Sequence, residues 1–455
     1  MTSPRQNILF IISDDHGREA FGAYGNKVVK TPNLDMLARE GVLFDYAFCT
    51  TASCGASRSV LNTGLHNHTN RTFGHVHQPH NFSMGDHIKT LPAYLKEAGY
   101  RTGRIGKKHY RPESLFPFDW NPADPADEVL MRDDIAMAND CRAFIDADPE
   151  TPFYLYYCSH NPHRLKLKED HPLKPDNFGN PPHAFPGDTE EYFSPDDVVV
   201  PYFLKDTPGT RAELAEYYQS IARLDRGIGR LIWHLKDAGV YDNTFIVYLS
   251  DNGGAFPVAK TTLYDPGSRL PLIVRDPSRK KKGFLSKALV NWTDITPTLA
   301  DVAGRPIDLT APFLGKSLLP ILEQEDPQDW RDELFAAHSF HQITNYYPMR
   351  SIRTRTHKFI YNIAHRLDFP SAADLWRSAT WQSARSSGDT IGDRKIKDYL
   401  LRPIFELYDL VNDPHELHNL ADQPEYASML DDFKKRTRDY QVRTQDPWLH
   451  KWEYE

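Results

Sequence analysis

Two acidic groups far apart in the chain, Asp14-Asp15 and Asp251-Asn252, each close an apolar run of strand length. If those runs lie side by side, three carboxylates and an amide oxygen form an all-oxygen site of the kind that hard divalent cations occupy, calcium or magnesium. A single Asp pair after a strand is ordinarily a solvated turn. Two such groups enclosed together would repel each other without a cation, which makes the combination informative. His160 and His163 follow a third apolar run, and imidazole titrates near neutrality, so both are candidates for moving protons. Further histidines cluster at His66, His68, His75, His77, His80 and His87. Their spacing forms no familiar zinc pair, and no Cys or Glu recurs with them, so a polar loop at the rim of a site is the expectation.

The elements that must position these residues alternate between strand and helix. Asn7 to Ser13 and Thr244 to Leu249 have the branched-aliphatic content of strands buried on both faces, and Phe153 to Cys158 is a third such run. Between them, Asn33 to Gly41, Thr90 to Ala98 and the long segment Thr210 to Ala238 carry helical spacing, while Val42 to Phe48 and Tyr100 to Ile105 read as strands. This order predicts an α/β fold, a large mostly parallel sheet flanked by helices, with functional groups just beyond the carboxyl ends of its strands. Asp14, Asp15, His160, His163, Asp251 and Asn252 all fall at such ends. After about residue 305 the texture changes: Tyr347 to Arg353, Lys358 to Asn362 and Phe405 to Leu410 read as strands of a smaller antiparallel α+β lobe. Residues 1–330 are therefore expected to form a catalytic domain, and 331–455 a subdomain that completes the cleft. The Pro-rich stretch from Pro172 to Pro208 is an excursion of the length seen in lids and binding loops.

Bulk properties narrow the function. A chain of 455 residues has room for one large lobe and a smaller one. A net charge of -8 speaks against a nucleic-acid surface, so an anionic substrate must be held by local cations. No apolar run has the length of a membrane span. The segment Ile8 to Ile12 is too short, and ends too acidically, for a signal peptide, so a cytoplasmic location is expected, or a periplasmic one if a leader has been removed. The four cysteines, Cys49, Cys54, Cys141 and Cys158, show no metal pairing and are too few for a disulfide scaffold.

One of them stands in a specific context. The tract Cys54-Gly55-Ala56-Ser57-Arg58, followed by a short helix ending Thr63-Gly64, resembles the signature of the sulfatase family, in which this cysteine is converted to formylglycine. Asp14-Asp15 and Asp251-Asn252 match that family's calcium ligands. Gly106-Lys107-Lys108-His109 resembles its Gly-Lys-x-His element, Asn161-Pro162-His163 its Pro-His element, and Glu406 to Leu420 its C-terminal signature. The stretches Val200-Pro201-Tyr202-Phe203, Asp251-Asn252-Gly253 with Phe256-Pro257, Tyr347-Pro348-Met349-Arg350-Ser351 and Asp446-Pro447-Trp448 are similar to the sulfamidase branch, whose substrates are N-sulfated glucosamines of heparan type.

The resemblance implies an alkaline-phosphatase-like fold and hydrolysis of a sulfate ester or sulfamate. The hydrate of the aldehyde made from Cys54 offers one hydroxyl to attack sulfur and a second whose proton loss expels sulfate. Arg58 would orient that diol, Lys107 and Lys260 would bind sulfate oxygens, and His109 or His163 would move protons, with His163 favoured as the acid for the leaving group. His160, Tyr347 and Arg350 are candidate substrate contacts. Implied partners are a sulfated sugar and a formylglycine-generating or anaerobic sulfatase-maturating enzyme; no nucleic acid or membrane is implied, and a homodimer is compatible. The chain departs from the pattern at Ala56, where proline is commoner, and at Lys260, where the sulfamidase branch carries arginine and a fork becomes a point charge. Alternatives from the same superfamily are an O-sulfatase or arylsulfatase and a phosphodiesterase or phosphonate monoester hydrolase; a non-catalytic carbohydrate-binding relative is the alternative of another class.

Overall fold

The computed structural model describes residues 5–165, 176–307 and 315–454. Seven strands form the central sheet: β1 (Asn7–Ser13), β2 (Val42–Phe48), β3 (Arg101–Gly106), β4 (Phe153–Cys158), β5 (Thr244–Ser250), β6 (Leu272–Arg275) and β7 (Phe284–Asn291). Their order is β3-β4-β1-β5-β6-β2-β7. Strands β3, β4, β1 and β5 run parallel, as β2 and β7 do, and only β6 opposes its neighbours. The sheet is thus mixed but mostly parallel.

Both faces are covered, which is why its strands are apolar throughout rather than alternating. Ile8, Phe10 and Ile12 point into one core layer together with Tyr154, Tyr156, Val247 and Leu249. Leu9 and Ile11 point into the other, with Leu155, Tyr157, Ile246 and Tyr248. Helices Pro32–Glu40, Asp134–Asp146 and Pro208–Asp237 close the second layer, and their buried leucines and isoleucines lie on the face turned to the sheet. None of the described helices is long and apolar enough to cross a membrane.

The smaller lobe is a four-stranded antiparallel sheet built from Glu333–Phe340, Tyr346–Thr354, His357–Asn362 and Phe405–Asp409. One face, with Ile352, Phe359 and Leu407, packs on helix Ala427–Arg443 through Leu430 and Phe433. The other, with Tyr347, Met349, Ile360 and Tyr408, packs on Tyr217, Phe256 and Tyr264 of the large lobe. A continuous apolar contact therefore joins the two lobes. Of the excursion expected over Pro172 to Pro208, residues 172–175 lie outside the described residues; the remainder crosses the large lobe as irregular chain, anchored where Glu190 meets buried Arg223 at 3.1 Å.

Candidate active site

The parallel strands deliver their C-terminal residues to one place. Asp14 and Asp15 follow β1, Lys107 and His109 follow β3, His160 and His163 follow β4, and Asp251 and Asn252 follow β5. Gly106 permits the turn out of β3: its φ is +81°, and a Cβ there would sit 2.0 Å from the Cys158 carbonyl oxygen. Asp15 and His109 also adopt positive φ, at 65° and 41°, a conformation held here by surrounding contacts.

Cys54 begins helix Cys54–Thr63 and is fully buried, as are Arg58, Asp15, Asp251, Asn252 and Lys260. The turn before it is pinned from both lobes. Thr261 N–H donates to the Ala52 carbonyl at 2.8 Å, Ala337 N–H to Thr50 at 2.8 Å, and Ser53 Oγ meets His341 Nδ1 at 3.0 Å. The thiol Sγ lies 3.8 Å from Asp15 Oδ1, and ligand atoms of Asp14, Asp15, Cys54 and Asp251 all fall within 4.8 Å of one another. Burial holds the Cys54 thiol well above its usual range although Lys107 and Lys260 pull it down. An unmodified Cys54 is therefore protonated and a poor nucleophile.

Cations surround the carboxylates. Arg58 Nε donates to Asp251 Oδ2 at 2.8 Å, and its two terminal nitrogens are buried without a hydrogen-bond partner. Lys107 Nζ donates to Asp14 Oδ2. Lys260 Nζ donates to Asp15 Oδ2 at 2.8 Å and to Asp374 Oδ2 at 2.7 Å, and stands 3.2 Å from His163 Nε2. Burial opposes ionisation of Asp14, but Lys107, His163, Arg58 and Lys260 outweigh it and hold the carboxyl well below its ordinary range. The donor set suits a hard cation on a second count: Asp14 Oδ1 and Asn252 Oδ1 are buried acceptors without a hydrogen-bond partner.

The histidines divide. His163 Nδ1 is bonded to the Arg164 carbonyl at 2.6 Å, which leaves Nε2 facing Lys260. Burial first, then Lys260, lowers its pKa to about 4, so the ring is neutral near pH 7. His109 Nε2 contacts His75 Nδ1 at 3.0 Å, and His75 Nε2 contacts His341 at 3.0 Å. These rings, with His160, Arg132, Asp374 and Arg377, line an open cavity of about 520 Å³ above the site. His66 and His68 do not reach it; they pack edge-on against Tyr440. Asp374 and His341 gave no motif in the sequence, because each reaches the cleft only through the packing of a distant segment, whereas His75 and His77 stand at the rim as their cluster suggested.

The structure does not bring Tyr347 or Arg350 to the cleft. Tyr347 is fully buried between the lobes, and Arg350, also fully buried, binds Asp446 through two parallel contacts of 2.5 and 2.8 Å. Both residues face the structural core rather than a substrate. Arg350→Ala is expected to cost about 3–5 kcal/mol of stability, because it strands the Asp446 carboxylate. Urea unfolding would measure that loss, and an unchanged KM in the surviving folded fraction would separate it from substrate binding.

The chain belongs to the sulfatase family: residues 6–305 match the family model "Sulfatase", and the family hydrolyses sulfate esters and sulfamates. Residues 256–374 match a second model, "N-sulphoglucosamine sulphohydrolase, C-terminal". The chain is 37% identical to N-sulphoglucosamine sulphohydrolase of Homo sapiens, over 98% of this chain and 91% of that one. It is 30% identical to an ulvan-active sulfatase of Formosa agariphila, over 94% and 78%. Among solved structures, a protein in complex with its substrate D-glucosamine-2-N,6-O-disulfate superposes with a TM-score of 0.69 at 23% identity, over 99% of this chain and all of that one. A phosphonate monoester hydrolase of Agrobacterium radiobacter superposes at 0.70 with 20% identity, over 97% of each chain. Those two likenesses describe the fold.

Proposed function

We propose that this chain removes the N-sulfo group of a glucosamine sugar, with Cys54 converted to formylglycine by a maturating enzyme and a divalent cation, calcium first, held by Asp14, Asp15, Asp251 and Asn252. The observation that carries this reading is the meeting of Cys54, the acidic cluster and three cations in one enclosed place, in a chain 37% identical to a sulfamidase over nearly its whole length.

Sulfur in a sulfamate is shielded by anionic oxygens, so the site must neutralise that charge. The cation would supply electrostatic stabilisation beside the nucleophile, and formylglycine would supply, as its hydrate, a hydroxyl nucleophile that a thiol cannot replace. Arg58 keeps Asp251 in place and has N–H donors to spare. Lys107 and Lys260 present ammonium groups to the sulfo oxygens, and the start of the Cys54–Thr63 helix adds its positive end. His163 holds its Nε2 toward the reacting centre, where an arriving sulfo anion offsets Lys260 and favours protonation.

Release of inorganic sulfate from N-sulfoglucosamine, compared on one preparation with glucosamine 6-O-sulfate and a phosphodiester, tests the assignment. Preference for either of the latter two would overturn it.

The cation has its own test. Burial raises the Asp251 carboxyl to about 7, with Arg58 opposing and Asp14 adding to the rise. That value lies above the unfolded one, so the metal-free fold is favoured at low pH and loses this contribution as pH climbs toward 7. A bound cation removes the penalty. Chelator-treated protein is therefore expected to lose thermal stability between about pH 4 and 7 while calcium-loaded protein does not. The melting points should differ by about 5 °C at the upper end. Thermal melts at matched pH check this, and parallel profiles would mean that the cluster holds no cation.

A further inference from the structure

Lys260 has three N–H donors and three partners: Asp15 Oδ2 at 2.8 Å, Asp374 Oδ2 at 2.7 Å and His163 Nε2 at 3.2 Å. A sulfo oxygen can reach this ammonium only by displacing one of them. Asp15 belongs to the acidic cluster and accepts from Asn252 as well, at 2.6 Å, so it is fixed. Asp374 comes from the short helix Ala373–Trp376 and opens on the cavity, its side chain 21% exposed. Its other oxygen, Oδ1, is committed to the backbone N–H of Leu375 at 3.0 Å. Of the two carboxylates on Lys260, Asp374 is therefore the one whose Oδ2 substrate can set free.

A carboxylate oxygen freed beneath a bound substrate needs a new donor. Ligand atoms of Asp374, Asp15 and His163 lie within 4.8 Å of one another, so the donor must come from the part of the substrate next to sulfur. A sulfamate carries an N–H there. A sulfate ester carries a bridging oxygen, which only accepts and would face the carboxylate lone pair to lone pair.

Resting on the sulfamidase reading above, we propose that Asp374 is the residue that selects nitrogen over oxygen at the bond to be cleaved, by accepting the sulfamate N–H through Oδ2. After cleavage the same oxygen faces the amine product, whose protonated form it stabilises. A site built around such a donor rejects the analogue that lacks it far more strongly than a site that merely fits its shape. The Ser378 hydroxyl that lines the cavity would not discriminate, since a hydroxyl can donate to or accept from either atom.

The test uses an isosteric pair, N-sulfoglucosamine and glucose 2-O-sulfate, which differ only in the atom that leaves. Mature wild-type enzyme is expected to prefer the sulfamate by about 10³-fold or more in kcat/KM. Asp374→Ala, which removes the acceptor, is expected to compress that ratio at least about tenfold by slowing the sulfamate more than the ester, and Asp374→Asn, whose amide oxygen can still accept, to compress it less. Because the ratio is taken within one preparation, it does not depend on how much of a variant is folded or converted. A merely structural role, holding Lys260 or gripping a ring hydroxyl, would lower both substrates together, and an unchanged ratio would overturn the proposal while leaving the sulfamidase reading intact. Failure of the wild type to cleave N-sulfoglucosamine at all would overturn both.

Discussion

Cys54→Ala is expected to abolish sulfate release, with a loss on the order of 10⁵-fold or more, because the nucleophile and not merely its environment is removed. The fold should tolerate the change. Cys54 is a small buried side chain, and its thiol makes only a 3.8 Å contact with Asp15, so a cost of about 1 kcal/mol is the scale to expect. The informative companion is unconverted wild-type protein, which should be as inactive as the alanine variant. Its thiol is held protonated by burial, and a thiol lacks the second hydroxyl that the reaction uses. On the proposed formylglycine mechanism, conversion would have to precede folding, since Cys54 is fully buried and its turn is pinned from both lobes. Adding a maturating enzyme to the folded, unconverted protein is accordingly expected to recover no activity, whereas co-expression recovers it. Activity in the alanine variant above about one part in 10⁴ would remove Cys54 from the mechanism.

The two halves of the site were unequally legible in the sequence. Residues at the ends of parallel strands could be placed because a βα repeat fixes which end of each strand carries function, so Asp14, His163 and Asp251 converge as that rule requires. Strand β6 escaped notice because it is four residues long and antiparallel, and neither length nor alternation marks it in the sequence. Tyr347 and Arg350 show the opposite difficulty. Their residue types suit a sugar as well as they suit an interlobe core, and only the register of the antiparallel sheet, with Arg350 opposite Ala337 and Tyr361, decides the face on which each lies. Asp374 and His341 reach the cleft by lobe packing, a relation that local pattern does not encode. The six-histidine stretch combines both cases: His75 and His77 do lie at the rim, while His66 and His68 turn inward to Tyr440.

The proton route can be separated from the sulfo-binding route by choice of leaving group. An amine departs from sulfur only with a proton, whereas para-nitrophenolate departs without one, so loss of a general acid must weigh on the two substrates differently. His163→Ala is expected to slow sulfamate hydrolysis about 10³-fold and para-nitrophenyl sulfate less than about tenfold. The pH profile should carry the same mark. In the free enzyme, burial and Lys260 bring His163 to about 4, and kcat/KM reports the free-enzyme value. Only the protonated ring can act as the acid, and its fraction falls as pH rises above that value. Sulfamate kcat/KM should therefore decline with rising pH from the acid side, while the nitrophenyl profile lacks this limb. His163→Ala should erase the limb for the sulfamate and leave the nitrophenyl profile in place. If the ammonium of Lys260, 3.2 Å from His163 Nε2, supplies the proton instead, the His163 variant will slow both substrates alike and the acid limb will persist. That outcome would reassign His163 from proton donor to a spacer that positions Lys260.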